Sequence, residues 1–67
     1  MYSIHHGISG IIIPPQPNKQ AAMAVAVGLQ HRRRTPYVFI TDDHGVITDK
    51  AAIAQYAQSI GMGWVFD

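Results

Sequence analysis

Hydrophobic and polar positions alternate at period two over Tyr2–Ile8, with Tyr2, Ile4 and Ile8 in phase, which predicts a β-strand. Gly7 and Gly10 interrupt it with a turn or bulge, and the β-branched run Ile11-Ile12-Ile13 resumes the strand. Residues 2–13 thus read as one bent strand or as a hairpin. Pro14-Pro15-Gln16-Pro17 then stops regular structure and forces an extended connection.

Asn18 is a good N-cap for a helix over 19–31. From Ala21 to Val27 that helix is apolar on every side, a pattern that requires cover on more than one side. Thr35-Pro36 breaks it, and Tyr37-Val-Phe-Ile-Thr41 is the strongest strand of the sequence. Asp42-Asp43-His44-Gly45 reads as a four-residue turn that returns the chain along Val46-Ile47-Thr48. That turn length sets Ile40 opposite Ile47. Val38, Ile40 and Ile47 then share one face, and Tyr37, Phe39, Val46 and the Thr41 methyl share the other.

Thr48 or Asp49 caps a second helix over 49–60, and Gly61 stops it. Its apolar positions Ile53, Tyr56, Ala57 and Ile60 follow the i, i+3, i+4, i+7 spacing. Met62-Gly-Trp-Val-Phe66 reads as a short closing strand. The order is β(β)-α-β-β-α-β, an α+β class: an antiparallel sheet of three to five short strands with two helices on one face. Residues 1–67 form a single domain, with Pro14–Pro17 as an internal connection and not a linker.

Composition narrows this further. Of 67 residues 48% are hydrophobic and only 13% charged, about half the usual charged share of ~25%. Such a chain collapses and does not stay disordered. It holds no Cys, so neither a disulfide nor a Cys-based zinc site can support the small core. The longest apolar run, Ala21–Leu29, has nine residues, short of the ~20 that cross a bilayer. The start of the sequence does not read as a signal peptide, and a cytoplasmic location is the default expectation.

The charges are segregated. Residues 1–36 hold Lys19, Arg32, Arg33 and Arg34 and no acid, whereas residues 37–67 hold Asp42, Asp43, Asp49 and Asp67 against Lys50. The chain is dipolar more than basic.

Candidate chemistry is sparse. His5 and His6 are adjacent on a strand and point to opposite faces. Asp42, Asp43 and His44 could gather around a divalent cation, but Asp and Gly are also the residues that turns select. No His-x-x-x-His spacing, nucleophile elbow or phosphate-binding glycine loop is present. The expectation is therefore a non-enzyme with no catalytic residue, metal or cofactor.

His31-Arg32-Arg33-Arg34 is the sharpest polar feature. With Lys19 it could contact phosphates while Tyr37 stacks on a base. It equally serves as a cationic helix end that complements the macrodipole. Val38–Gly61, about a third of the chain, loosely resembles the hairpin-plus-helix DNA-binding modules appended to homing endonucleases. The likeness lies in element order, and the helix carries one cation, Lys50.

Large rings and methionines are abundant for so small a core, and that enrichment with few charges is the composition of an interface centre. The sequence therefore predicts a small regulatory or inhibitory protein that binds another protein, as a homodimer. Its interface would comprise Met23, Val27, Tyr37, Phe39, Val46, Trp64 and Phe66. Its size suits an accessory protein of a phage or plasmid. The alternative is a nucleic-acid-binding regulator that uses Lys19, His31, Arg32, Arg33 and Arg34.

Overall fold

The computed structural model describes all of residues 1–67. In chain order it contains β1 (Ser3–His6), α1 (Lys19–Arg32), β2 (Val38–Thr41), β3 (Ile47–Thr48), α2 (Lys50–Ser59) and a C-terminal 3-10 turn, Gly63–Phe66. The strands form one antiparallel sheet in the order β1-β2-β3. Ile4 pairs with Ile40, and His6 with Val38. The α+β class therefore holds, with three strands and two helices.

Both helices begin where a side-chain cap is available. Asn18 Oδ1 accepts from the Ala21 N–H at 2.8 Å, and Asp49 Oδ1 from the Ala52 N–H at 2.9 Å. Each cap satisfies an amide that the first helical turn leaves unpaired. α2 ends at Gly61, whose φ of +77° is the left-handed conformation that glycine adopts without a Cβ penalty. The Met62 N–H then donates to Ala57 O at 2.7 Å and the Gly61 N–H to Gln58 O at 3.1 Å, which is a Schellman closure.

One cluster forms the core. Ile4, Val38 and Ile40 from the sheet meet Ala22, Ala26 and Val27 of α1 and Ile53 and Ala57 of α2. Both helices thus cover the same side of the sheet, and its other side carries no helix. Three of the eight core residues are alanines, so helix and sheet approach closely but each contact buries little surface. Polar groups inside are paired: Gln30 Oε1 accepts from the Thr35 hydroxyl at 2.9 Å and from the Thr35 N–H at 3.3 Å. This clamp fixes the exit from α1 toward β2.

Three sequence expectations are corrected. The hairpin register is shifted by one residue: Ile40 pairs with Thr48, and Thr41 with Ile47. The cause lies in Asp42, whose carboxylate accepts from the Val46 N–H (2.9 Å) and the His44 N–H (2.8 Å), while its own N–H donates to Val46 O. Asp42 thereby ends the ladder and does not belong to the loop, which shortens to Asp43–Gly45, with Gly45 at φ +80°. A one-residue slip exchanges faces along a strand. Thr48 accordingly turns inward and is buried, whereas Ile47 is 63% exposed.

The run Ile11–Ile13 is not a strand. Between Gly10 and Pro14 it makes no ladder. The connection instead meets the sheet only where Tyr2 and Gln16 exchange two backbone hydrogen bonds of 2.9 and 2.8 Å. The expected C-terminal strand is the 3-10 turn: Val65 is buried and Phe66 packs against the core. Once Gly61 has reversed the chain beside α2, burying these two side chains against the helices takes the place of sheet pairing. No helix is long and apolar enough to cross a membrane.

Candidate functional site

Strand alternation builds the first candidate surface. Tyr37, Phe39 and Thr41 of β2 and its approach point away from the helices, with His5 of β1 and Ile47 of β3 beside them. Their rings stack: His5 and Phe39 lie 4.6 Å apart with planes inclined by 11°, and Tyr37 and Phe39 lie 5.9 Å apart at 27°. Tyr37 and Ile47 are each at least half exposed. The result is an aromatic strip on an open β-surface, closed at one end by Ile47. Gly7 lies under it, because a Cβ there would stand 2.9 Å from Pro36 Cγ and 3.0 Å from Tyr37 Cε1.

On the same face His5 Nε2 lies 2.8 Å from Thr41 Oγ1. A hydroxyl held by an imidazole is half of a nucleophile–base arrangement. Here the ring is stacked on Phe39 and no third side chain hydrogen-bonds to it, and the pair sits on an open face. Sequence reasoning missed it, since residues 5 and 41 become neighbours only through the β1–β2 register.

The predicted interface residues divide. Tyr37, Phe39, Val46 and Trp64 reach the surface, with Trp64 57% exposed and set edge-on to His31 at 5.1 Å. Val27 is 2% exposed and belongs to the core, and Met23 and Phe66 pack against that core. Val27 is therefore closed to a partner, which the uniformly apolar pattern of α1 concealed, whereas Met23 and Phe66 are half-buried. Val46 alternates out of phase with Ile47 and does not join the aromatic strip.

The cationic candidates also divide. Arg32, Arg33 and Arg34 are exposed at the end of α1, and Arg34 donates to Asp67 O at 3.0 Å. Lys19 opens the same helix, about 20 Å away at 1.5 Å per residue, and is not part of the cluster. The acidic turn is occupied internally: Asp42 holds two amides, and Asp43 pairs with the N-terminal ammonium at 2.6 Å. The Val46 N–H holds the Asp42 carboxyl below its ordinary 3.8, and the His44 N–H and nearby positive charge act in the same direction against a desolvation that opposes them. No three His or Asp side chains gather where they could share a metal ion.

A groove of about 540 Å³ forms the second candidate surface. One wall is the connection at Ile11 and Ile13; the floor is α1 at Ala24, Val25, Gly28 and Leu29; Arg32 and Arg33 stand at one end. Compared with family models, curated proteins and solved structures, the chain shows no significant match.

Proposed function

We propose that this chain is a non-catalytic regulatory or inhibitory protein that acts by binding another protein, and that it pairs with a second copy of itself. The observation that carries this reading is the one-sided sheet. Tyr37, Phe39 and Ile47 remain at the surface with His5 because both helices pack on the opposite face. Aromatic side chains in an exposed apolar patch are the usual centre of a protein interface. A two-fold pairing of such faces is closed and self-limiting.

Charge segregation supplies orientation. The arginine cluster follows α1, and the acidic turn lies between β2 and β3. Opposite potentials at separate places on the chain steer approach and fix register more than they add affinity.

Light scattering at high micromolar concentration tests the pairing, with a mass of twice 7.4 kDa expected. Phe39→Asp places a charge at the centre of the aromatic strip and is expected to return the mass to that of one chain with the fold intact by circular dichroism. A folded Phe39→Asp protein that stays paired shows that this face is not the interface. Capture from a nuclease-treated extract tests for the other protein partner.

A nucleic-acid reading is favoured by one specific observation, the stacked Tyr37–Phe39–His5 strip on a sheet, since bases stack on such platforms in sequence-tolerant binding. It predicts affinity for single strands that falls steeply with salt. Retained binding after Arg32, Arg33 and Arg34 are all changed to Ala, or no binding at low salt, counts against it.

A further inference from the structure

We infer that the groove beside α1 receives an amphipathic α-helix of a partner protein, running antiparallel to α1, whose first turn carries Asp or Glu. This rests on the protein-binding reading above and adds the place and chemistry of the contact. The floor of the groove is two parallel rows at i, i+4 spacing, Ala24, Gly28, Arg32 and Val25, Leu29, with Arg33 just past the end of the helix. Rows of that spacing are the ridges and grooves by which one helix reads another. From Ala24 to Arg32 the floor runs about 12 Å, a little over two turns.

Gly28 is the telling residue. Glycine is the least favourable helix-interior residue after proline, and here a Cβ at position 28 would meet nothing within 4 Å. Packing within the chain therefore does not require a glycine there. Bare backbone beside Ala24 instead lets a second helix approach α1 closely. The open trough, with Ile11 and Ile13 as its far wall, suits a helix laid along it better than a small molecule enclosed in it.

Charge selects the occupant. α1 contains no acid, and Arg32 and Arg33 make no ion pair within the chain. A second copy of α1 would bring only Lys19 and more arginines to these two guanidinium groups, so the groove disfavours self-pairing. An antiparallel helix presents its N-terminus at the C-terminal end of α1. Acidic residues are most favourable in that first turn, and carboxylates accept paired hydrogen bonds from arginine.

The test uses a displayed library of 14-residue helical peptides with fixed apolar i, i+3, i+4, i+7 positions and a randomised first turn. Selection on the intact protein is expected to enrich Asp and Glu in that turn. Gly28→Leu, which fills the trough with a good helix former, should weaken the selected peptides at least tenfold. Arg32→Glu with Arg33→Glu should shift the selected first turn to Lys and Arg. No enrichment, enrichment without acids, or affinity unchanged by Gly28→Leu overturns the inference. Peptides lost in Phe39→Asp and kept in Gly28→Leu overturn it too, while leaving the protein-binding reading standing. Decanoate or a single-stranded oligonucleotide binding in a Gly28→Leu-sensitive way, with no helix enriched, overturns it in favour of an anionic lipid or a nucleic acid.

Discussion

Replacing Gly28 by alanine should stabilise the free protein. The added methyl meets no heavy atom within 4 Å, so neither overpacking nor new burial enters the account. What remains is helix propensity, which favours Ala over Gly by ~0.8–1.0 kcal/mol in a helix interior, partly through the unfolded chain. Position 28 is the tenth of fourteen residues in α1, far enough from both ends for most of that difference to apply. For a domain of this size ~1 kcal/mol corresponds to a rise in Tm of ~4–8 °C. Thermal unfolding followed by circular dichroism at 222 nm reads it directly, at a protein concentration low enough to separate chains. An unchanged or lowered Tm refutes the reasoning, because it would mean that the space over Gly28 is filled in the free protein.

Other consequences follow from the core and the turn. Ile53→Ala removes a fully buried side chain from an eight-residue cluster; a loss of ~2–5 kcal/mol is expected, and urea midpoints showing under ~1 kcal/mol would mean that the cluster collapses to fill the gap. The folded pKa of Asp42 lies below 3.8. Its contribution is therefore fully present above the unfolded value and disappears as pH falls through the lower folded one. In an NMR titration the Val46 amide shift should show a step whose midpoint lies below 3.8, and Asp42→Asn should remove that step. A midpoint at or above 3.8 contradicts the bonding of the turn.

The elements that the sequence predicted well are those whose signals are local. Asn18 and Asp49 cap their helices through side chains three residues from the amides they serve, and Gly61 ends α2 by its own φ. The hairpin register is not legible in the sequence because turn length depends on whether the Asp42 carboxylate or a backbone carbonyl takes the Val46 amide, a choice no period reveals. Ile11–Ile13 and Trp64–Phe66 have strand-like composition, but a strand needs a partner edge, and neither run has one. Of the first only Ile13 packs against the core, while Ile12 is 93% exposed; in the second Val65 is buried and Phe66 packs against the core. That Tyr37 and Phe39 share one sheet face was readable from alternation alone; that Ile47 and not Val46 joins them was not. The His5–Thr41 contact and the Ile11/Ile13 wall of the groove were not, because both join residues distant in the chain.

The two-residue length of β3 limits how copies of this chain can join. An exposed strand edge is a template on which further chains add, and long flat edges grow into fibres. Here that edge offers only Ile47 and Thr48. At β1 the backbone groups of Tyr2 are already taken by Gln16, which is flanked by prolines that have no N–H to donate. Extension by edge addition at β3 therefore has almost no template, even though the sheet is rich in β-branched and aromatic residues. Overexpressed, the protein should resist thioflavin-positive fibril formation, and its failures of solubility should be amorphous.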